Sequence, residues 1–198
     1  MEPGTSRLRL RDGSVALLRE VRPGDRAALI GGFAELSHES RVFRFLHHVE
    51  RLEDVDADRF SSPDSRLHVA IGASVSAGAE AVPAGNAHFF RPTSQARRAE
   101  LALTVIDRFQ GRGLGILLLG RLMRIGTDHG LRQLDALVHP RNDGMIHILR
   151  GLGAAERMEE GIRIFALPLY RRPADYPRGS VGDAVRAAYL IEPGDGGG

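Results

Sequence analysis

The chain has 198 residues, 42% of them hydrophobic and 26% charged; this is the composition of one globular domain, and no apolar run approaches the ~18 residues of a membrane span. Cysteine is absent and all 27 basic residues are Arg, which excludes disulfides, thiolate nucleophiles, Cys-based zinc sites and every mechanism that needs a phosphate-binding or Schiff-base lysine. The formal net charge is only +2 and the arginines alternate with Asp and Glu, so the chain does not read as a nucleic-acid binder.

In chain order, a turn at Asp12 and Gly13 leads into a first strand over 15–21. Pro23, Gly24 and Asp25 open a helix carrying Ala28, Leu29, Ile30 and Phe33 toward the core, and a second short helix covers 40–48. Segments 66–73 and 86–91 predict strands joined by a mobile loop over 74–85, rich in Ala, Ser and Gly. Segment 100–106 is a cleaner strand, with Leu101, Leu103 and Val105 alternating against Glu100, Ala102 and Thr104. A Gly-rich turn and an apolar helix over 114–128 come next, then a strand over 133–138, a helix over 143–152 and a last strand over 162–167. Past Arg171 the content of Pro, Gly and charge rises, which predicts a loosely ordered tail over 171–198 with a helical turn or two around 183–190. The fold class is therefore α+β (mixed α/β), one domain over 1–170 around one central mixed sheet.

The turn at 106–116 carries the most chemistry. Gly111, Gly113 and Gly115 let several backbone N–H groups converge with no Cβ in the way, at the positive end of a helix dipole that suits a pyrophosphate, and Arg112 adds a charged contact at the rim. A dinucleotide fingerprint would need a further Gly at Ile116 or Leu118, and a phosphate-binding loop would need the missing lysine.

Gln110, Gly111, Arg112, Gly113, Leu114 and Gly115 resemble the Gln/Arg-x-x-Gly-x-Gly/Ala motif of the GNAT superfamily of acyl-CoA-dependent N-acyltransferases. Downstream, the run from Val138 to Met145 with Leu149, Leu152 and Gly153 resembles that family's next strand and helix. Upstream, Leu10, Arg11, Asp12 and Gly13, then the run from Leu36 to Arg41, with Arg44 and Phe45, resemble the branch that includes the GNAT domains of bacterial protein lysine acetyltransferases. The resemblance runs from about residue 7 to residue 167.

It implies a GNAT-like fold, one central mixed sheet flanked by helices, with acetyl-CoA as co-substrate lying between two splayed strands. By position, Leu103, Thr104 and Val105 would line the acetyl and pantetheine end, Gly111 to Ile116 would hold the pyrophosphate, and Asn142 would contact the pantetheine or phosphate arm. A backbone N–H near Val105 would stabilise the oxyanion. The amine attacks directly, and since an alkylammonium titrates near ~10.4 a base must take its proton. Glu100 matches the Glu that does so in the protein-acetylating branch; Glu35, Glu39 and His88 are lesser candidates. Where many members carry a Tyr general acid, Leu149 stands here, with Tyr170 a distant substitute.

Asp54, Asp56 and Asp58 have the opening spacing of a calcium loop, but Arg59 and Ser65 occupy positions that need Gly and Glu. His38, His47 and His48 lack ligand partners at metal spacing, so no metal is expected. The acceptor reads as a protein lysine or else a small amine or amino acid; a non-catalytic acyl-CoA sensor is the alternative from another class. Neither membrane nor nucleic acid is an expected partner, a homodimer is left open, and the lack of an apolar leader segment predicts a cytoplasmic location.

Overall fold

The computed structural model describes residues 5–52, 54–77 and 80–191. Strands β1 (Ser6–Arg9), β2 (Val15–Glu20), β3 (His68–Ala77), β4 (Glu80–Phe90), β5 (Arg98–Val105), β6 (Gln133–Val138), β7 (Ala155–Glu159) and β8 (Ile162–Pro168) form one sheet in the order β1-β2-β3-β4-β5-β6-β8-β7. All neighbours are antiparallel except β5 and β6. Helices α1 (Arg26–Ala34), α2 (His38–Phe45) and α3 (Asp54–Ser61) precede β3; α4 (Leu114–Asp128), α5 (Asp143–Gly151) and α6 (Ser180–Tyr189) come after β5, β6 and β8. Among the described residues no helix is long and apolar enough to cross a membrane.

The pleat of β5 sets which face does what. Leu103 and Val105 point to α4, where a Cβ on Gly115 would lie 3.8 and 3.7 Å from their methyls. The wide apolar surface of α4 buries Leu114, Leu118, Leu119, Leu122 and Met123 almost completely, forming the main core with the sheet. Thr104, Asn86 and His88 share a cavity of about 130 Å³ with Leu29 and Phe33 of α1, which places α1 on the other face.

Two expectations need correction, and one helix has no counterpart among the elements that the sequence predicts. The loop expected over 74–85 is the body of a β3–β4 hairpin, paired from His68↔Phe90 to Ala77↔Glu80. Ala73, Val75, Ala84 and Ala87 are buried, so small residues fill the inward positions and weaken the strand signal in the sequence. The segment from Asp54, for which the sequence predicts no element, forms α3, and Asp58 lies 2.5 Å from Arg26. The tail is not loosely attached through residue 190, although 192–198 lie outside the described residues. Tyr176, Val181, Val185, Ala188 and Tyr189 are buried, and α6 docks where α4 presents Gly120, at which an added Cβ would meet that of Ala188 at 2.6 Å. Strand β1 and the fully exposed edge strand β7 complete the sheet, and neither has a clear signal in the sequence.

Two histidines occupy the α1–α3 face. His68 Nε2 lies 2.9 Å from His88 Nδ1, and His88 Nε2 lies 3.1 Å from Asn86 Oδ1. If His88 Nε2 donates to Asn86, then His88 Nδ1 accepts from His68 Nε2, so the whole chain of bonds is satisfied by neutral rings. Burial, reinforced by the charge of Arg59, pushes His68 down to about 4. Burial also holds His88 well below its usual range, with the Arg44 charge next in weight.

Packing at α6 and at the histidine pair can each be measured. Val185→Ala, at a fully buried site, should cost about 1–3 kcal/mol in a urea melt, whereas a loosely attached tail would lose nothing. Because the folded state resists protonation of His68 while the unfolded chain titrates near ~6.5, stability present above that pH should fall as pH drops toward about 4. Melts at pH 7 and pH 5 should differ by about 1–2 kcal/mol from this group, and His68→Gln should flatten the slope.

Candidate functional site

Strand β5 is paired with β4 along Gly85↔Val105 to Phe90↔Glu100, and β6 with β8 along its whole length. Between β5 and β6, however, only Arg98↔Gln133, Ala99↔Leu134 and Glu100↔Asp135 pair. An ion pair from Arg98 to Asp135 at 2.9 Å closes that end. Beyond it the strands diverge, so residues 101–105 and 136–138 face each other without a ladder between them. Backbone polar groups on such edges need partners, and an extended ligand with amide groups can supply them as an added strand would.

The open end of the gap leads into the glycine turn. Gly111 and Gly113 adopt positive φ (72° and 91°), a conformation that favours glycine, and Gly113 is the N-cap of α4 with no side chain bonded to the first turn. The N–H groups there remain available to an anion. Leu114 buries its side chain in the core and offers only its backbone; Gly115 packs on Leu103 and Val105, and Ile116 is half-buried in the first turn of the helix.

The charged contact expected from Arg112 is placed differently. Its Nη1 is 2.7 Å from Asp12 Oδ2 and its Nη2 donates to the Arg108 carbonyl at 2.5 Å. The side chain lying across the helix start is Arg11, whose Nε would be 3.6 Å from a Cβ on Gly113. Arg11 N–H also donates to the Arg112 carbonyl at 3.1 Å, so the β1–β2 turn and the glycine turn are joined. No spacing rule links positions a hundred residues apart; the run from Leu10 to Gly13 within the family resemblance was the only signal.

The Gln110 side chain acts as a fastener within the protein. Its Nε2 donates to the Val105 carbonyl at 3.0 Å and to Ser40 Oγ at 3.3 Å. Asp107 accepts from Ser37 N–H, Ser37 Oγ and Ser40 Oγ at 3.1, 2.6 and 2.9 Å. Burial works against the Asp107 carboxylate, but the hydrogen bonds from Ser37 and Ser40 outweigh it and hold the group below its usual range. The start of α2 is thereby pinned to the turn that precedes α4.

Helix α2 and the segment after it form one wall of a cleft of about 680 Å³ that contains the β5–β6 gap. Glu100, Leu103, Asn142, Phe60 and Phe90 line it. Glu100 is exposed at the point where the strands part. Asn142 caps α5, accepting from Met145 N–H at 3.1 Å, which leaves its amide N–H donors for another partner. Thr104 stands on the same face of β5 as Glu100 and lines the smaller cavity with Asn86 and His88, whereas Leu103, which packs toward α4, is the member of the expected trio that borders the cleft.

The lesser base candidates are otherwise engaged. Glu35 is ion-paired with Arg108, Glu39 lies 3.6 Å from Arg141, and His88 is buried beside His68. Leu149 is fully buried, and Tyr170 packs on Tyr176 and accepts at its carbonyl from Tyr189 Oη, so neither lines the cleft. Sequence reasoning missed Arg11 and the aromatic wall formed by Phe60 and Phe90, which only the pairing of β4 with β5 brings beside Glu100.

This geometry has relatives. The chain is 33% identical over 155 residues to the acetyltransferase Pat of Mycolicibacterium smegmatis, covering 74% of this chain and 43% of that protein. An acetyltransferase of Pseudomonas aeruginosa is 27% identical over 144 residues, 73% of this chain and 77% of that one. Among solved structures, the GNAT domain of S. lividans PAT superposes with a TM-score of 0.76 at 26% identity, covering 83% of this chain and 97% of that one. The chain thus spans less than half the length of the mycobacterial Pat while matching an isolated GNAT domain nearly end to end. The model of the acetyltransferase (GNAT) domain matches residues 16–155, the stretch that contains the diverging strands, the glycine turn and the Asn142 cap, and the chain belongs to the GNAT acetyltransferase family.

Proposed function

We propose that the chain moves an acetyl group from acetyl-CoA to the side-chain amine of a protein lysine, with Glu100 as general base. The observation that carries this reading is the interrupted β5–β6 ladder, with Glu100 at its closed end and the anion-ready start of α4 at its open end. Strand residues 101–105 between Glu100 and the turn span about 17 Å, which suits an extended pantetheine arm whose amides pair with the free edges. The unsatisfied N–H groups at Gly113–Ile116 and the Arg11 guanidinium receive the phosphates. Asn142 donates to the arm.

Acetyl-CoA supplies an activated thioester carbonyl. Glu100, directly or through a water, takes a proton from the acceptor ammonium; the amine nitrogen then adds to the carbonyl carbon, and collapse of the tetrahedral oxyanion breaks the C–S bond while the nitrogen gives up its second proton to solvent. A backbone N–H on the unpaired edge of β5 stabilises the oxyanion in between. CoA leaves as a thiolate, a tolerable leaving group that water can protonate, which fits a buried leucine at position 149. The wide mouth bounded by residues 43–51 admits a side chain presented from another protein's surface. Such a reaction belongs in the cytoplasm, where acetyl-CoA is available.

Glu100→Gln should lower kcat on a lysine peptide by ~10²-fold while the Kd for acetyl-CoA, read by titration calorimetry, stays within about twofold. Activity retained across the pH range would remove Glu100 from the mechanism, and tight CoA binding without turnover by the unaltered protein would favour a sensor role. Arg11→Ala should weaken acetyl-CoA about tenfold, the loss of one charge-assisted hydrogen bond.

A further inference from the structure

The mouth of the acetyl-transfer cleft is populated by arginines, two of them held on aromatic rings. Arg59 lies with its guanidinium carbon 4.7 Å from the centre of the Phe90 ring, and Phe90 is the direct cross-strand partner of Glu100. Arg44 stacks at 4.8 Å on Phe45 and 5.3 Å on Phe60. Arg51 completes the set on the same rim. Stacking on a ring fixes a guanidinium's plane while its edge can still donate to a carboxylate. Neither Arg59 nor Arg51 forms an ion pair with a described carboxylate. Against Arg59 and Arg51 the described lining of the cleft sets Glu50 and Glu100, and the second is occupied with the reacting amine in the mechanism above.

Resting on that reading, we infer that the acceptor is a lysine flanked by acidic side chains: the ammonium meets Glu100 while neighbouring carboxylates on the acceptor meet Arg59 and Arg51. Charge complementarity carries the argument. A polyamine would bring further positive charges against Arg59 and Arg51, with Glu50 the one described carboxylate of the lining beside the base, whereas an acidic segment with one lysine matches both signs at once. Arg59 is exposed at its end of α3, so it can be exchanged without disturbing the core.

The test compares kcat/KM, at saturating acetyl-CoA, for three acceptors: a peptide with one lysine between aspartates, the same peptide with alanines, and spermidine. The acidic peptide should be preferred by about tenfold, with the preference shrinking as salt is raised. Arg59→Gln and Arg51→Gln should each bring the ratio of acidic to alanine peptide toward one through KM, with melting temperatures held as the control for folding. Equal use of both peptides by the unaltered enzyme overturns the inference and leaves the lysine reading standing. Acetylation of spermidine but of neither peptide overturns both. A rise in the KM for acetyl-CoA in place of the acceptor KM would assign the arginines to the co-substrate and also overturn the inference.

Discussion

Two strands whose outer edges are paired all along the gap share only three residue pairs with each other. A sheet would ordinarily extend that ladder, since each unpaired N–H or carbonyl away from water is costly. Here the ladder stops at Glu100↔Asp135, yet β5 continues past that pair as strand for five more residues. The rigidity of β4 on one side and β8 on the other holds the gap open, so the site is built from missing hydrogen bonds kept in place by satisfied ones. The remaining features depend on this separation: the helix after β5 has its N-terminus at the open end, and the helix after β6 is capped by Asn142 across the gap.

The wall that faces the gap is fixed to the same turn. Asp107 and Gln110 reach back to Ser37 and Ser40, and Arg112 to Asp12, so the glycine turn is tied both to α2 and to the first hairpin. A change in the turn would therefore shift the α2 wall of the cleft as well as the start of α4. This coupling rests on side chains that a motif reading assigns to the ligand. In this chain the Gln110 and Arg112 side chains position the turn, and Arg11, from the opposite segment, lies against Gly113.

Local pattern revealed much of this. The alternation over 100–106 marked β5, closely spaced glycines marked the turn, and the apolar run after it marked α4; each is a short-range effect of pleat, turn geometry or helical period. The hairpin over 74–85 was obscured because its inward residues are mostly Ala, which fit beneath α4 without adding strand propensity. The helical turns of α6 were partly legible, but its docking was obscured because the stripe of Val181, Val185 and Ala188 is set among Pro, Gly and charge, and gains meaning only opposite Gly120 and Gly151. The exposed residues of β7 show no alternation at all. Arg11, Arg59 and Phe90 reach the site through tertiary pairing between distant segments, which no window on the sequence contains.

Amide hydrogen exchange with and without saturating acetyl-CoA tests the central claim most directly, because it reads the strand edges themselves. The account predicts slower exchange at residues 101–105 and 113–117, with little change along β8. Unchanged exchange at both segments, or protection confined to the smaller cavity beneath α1, would contradict it.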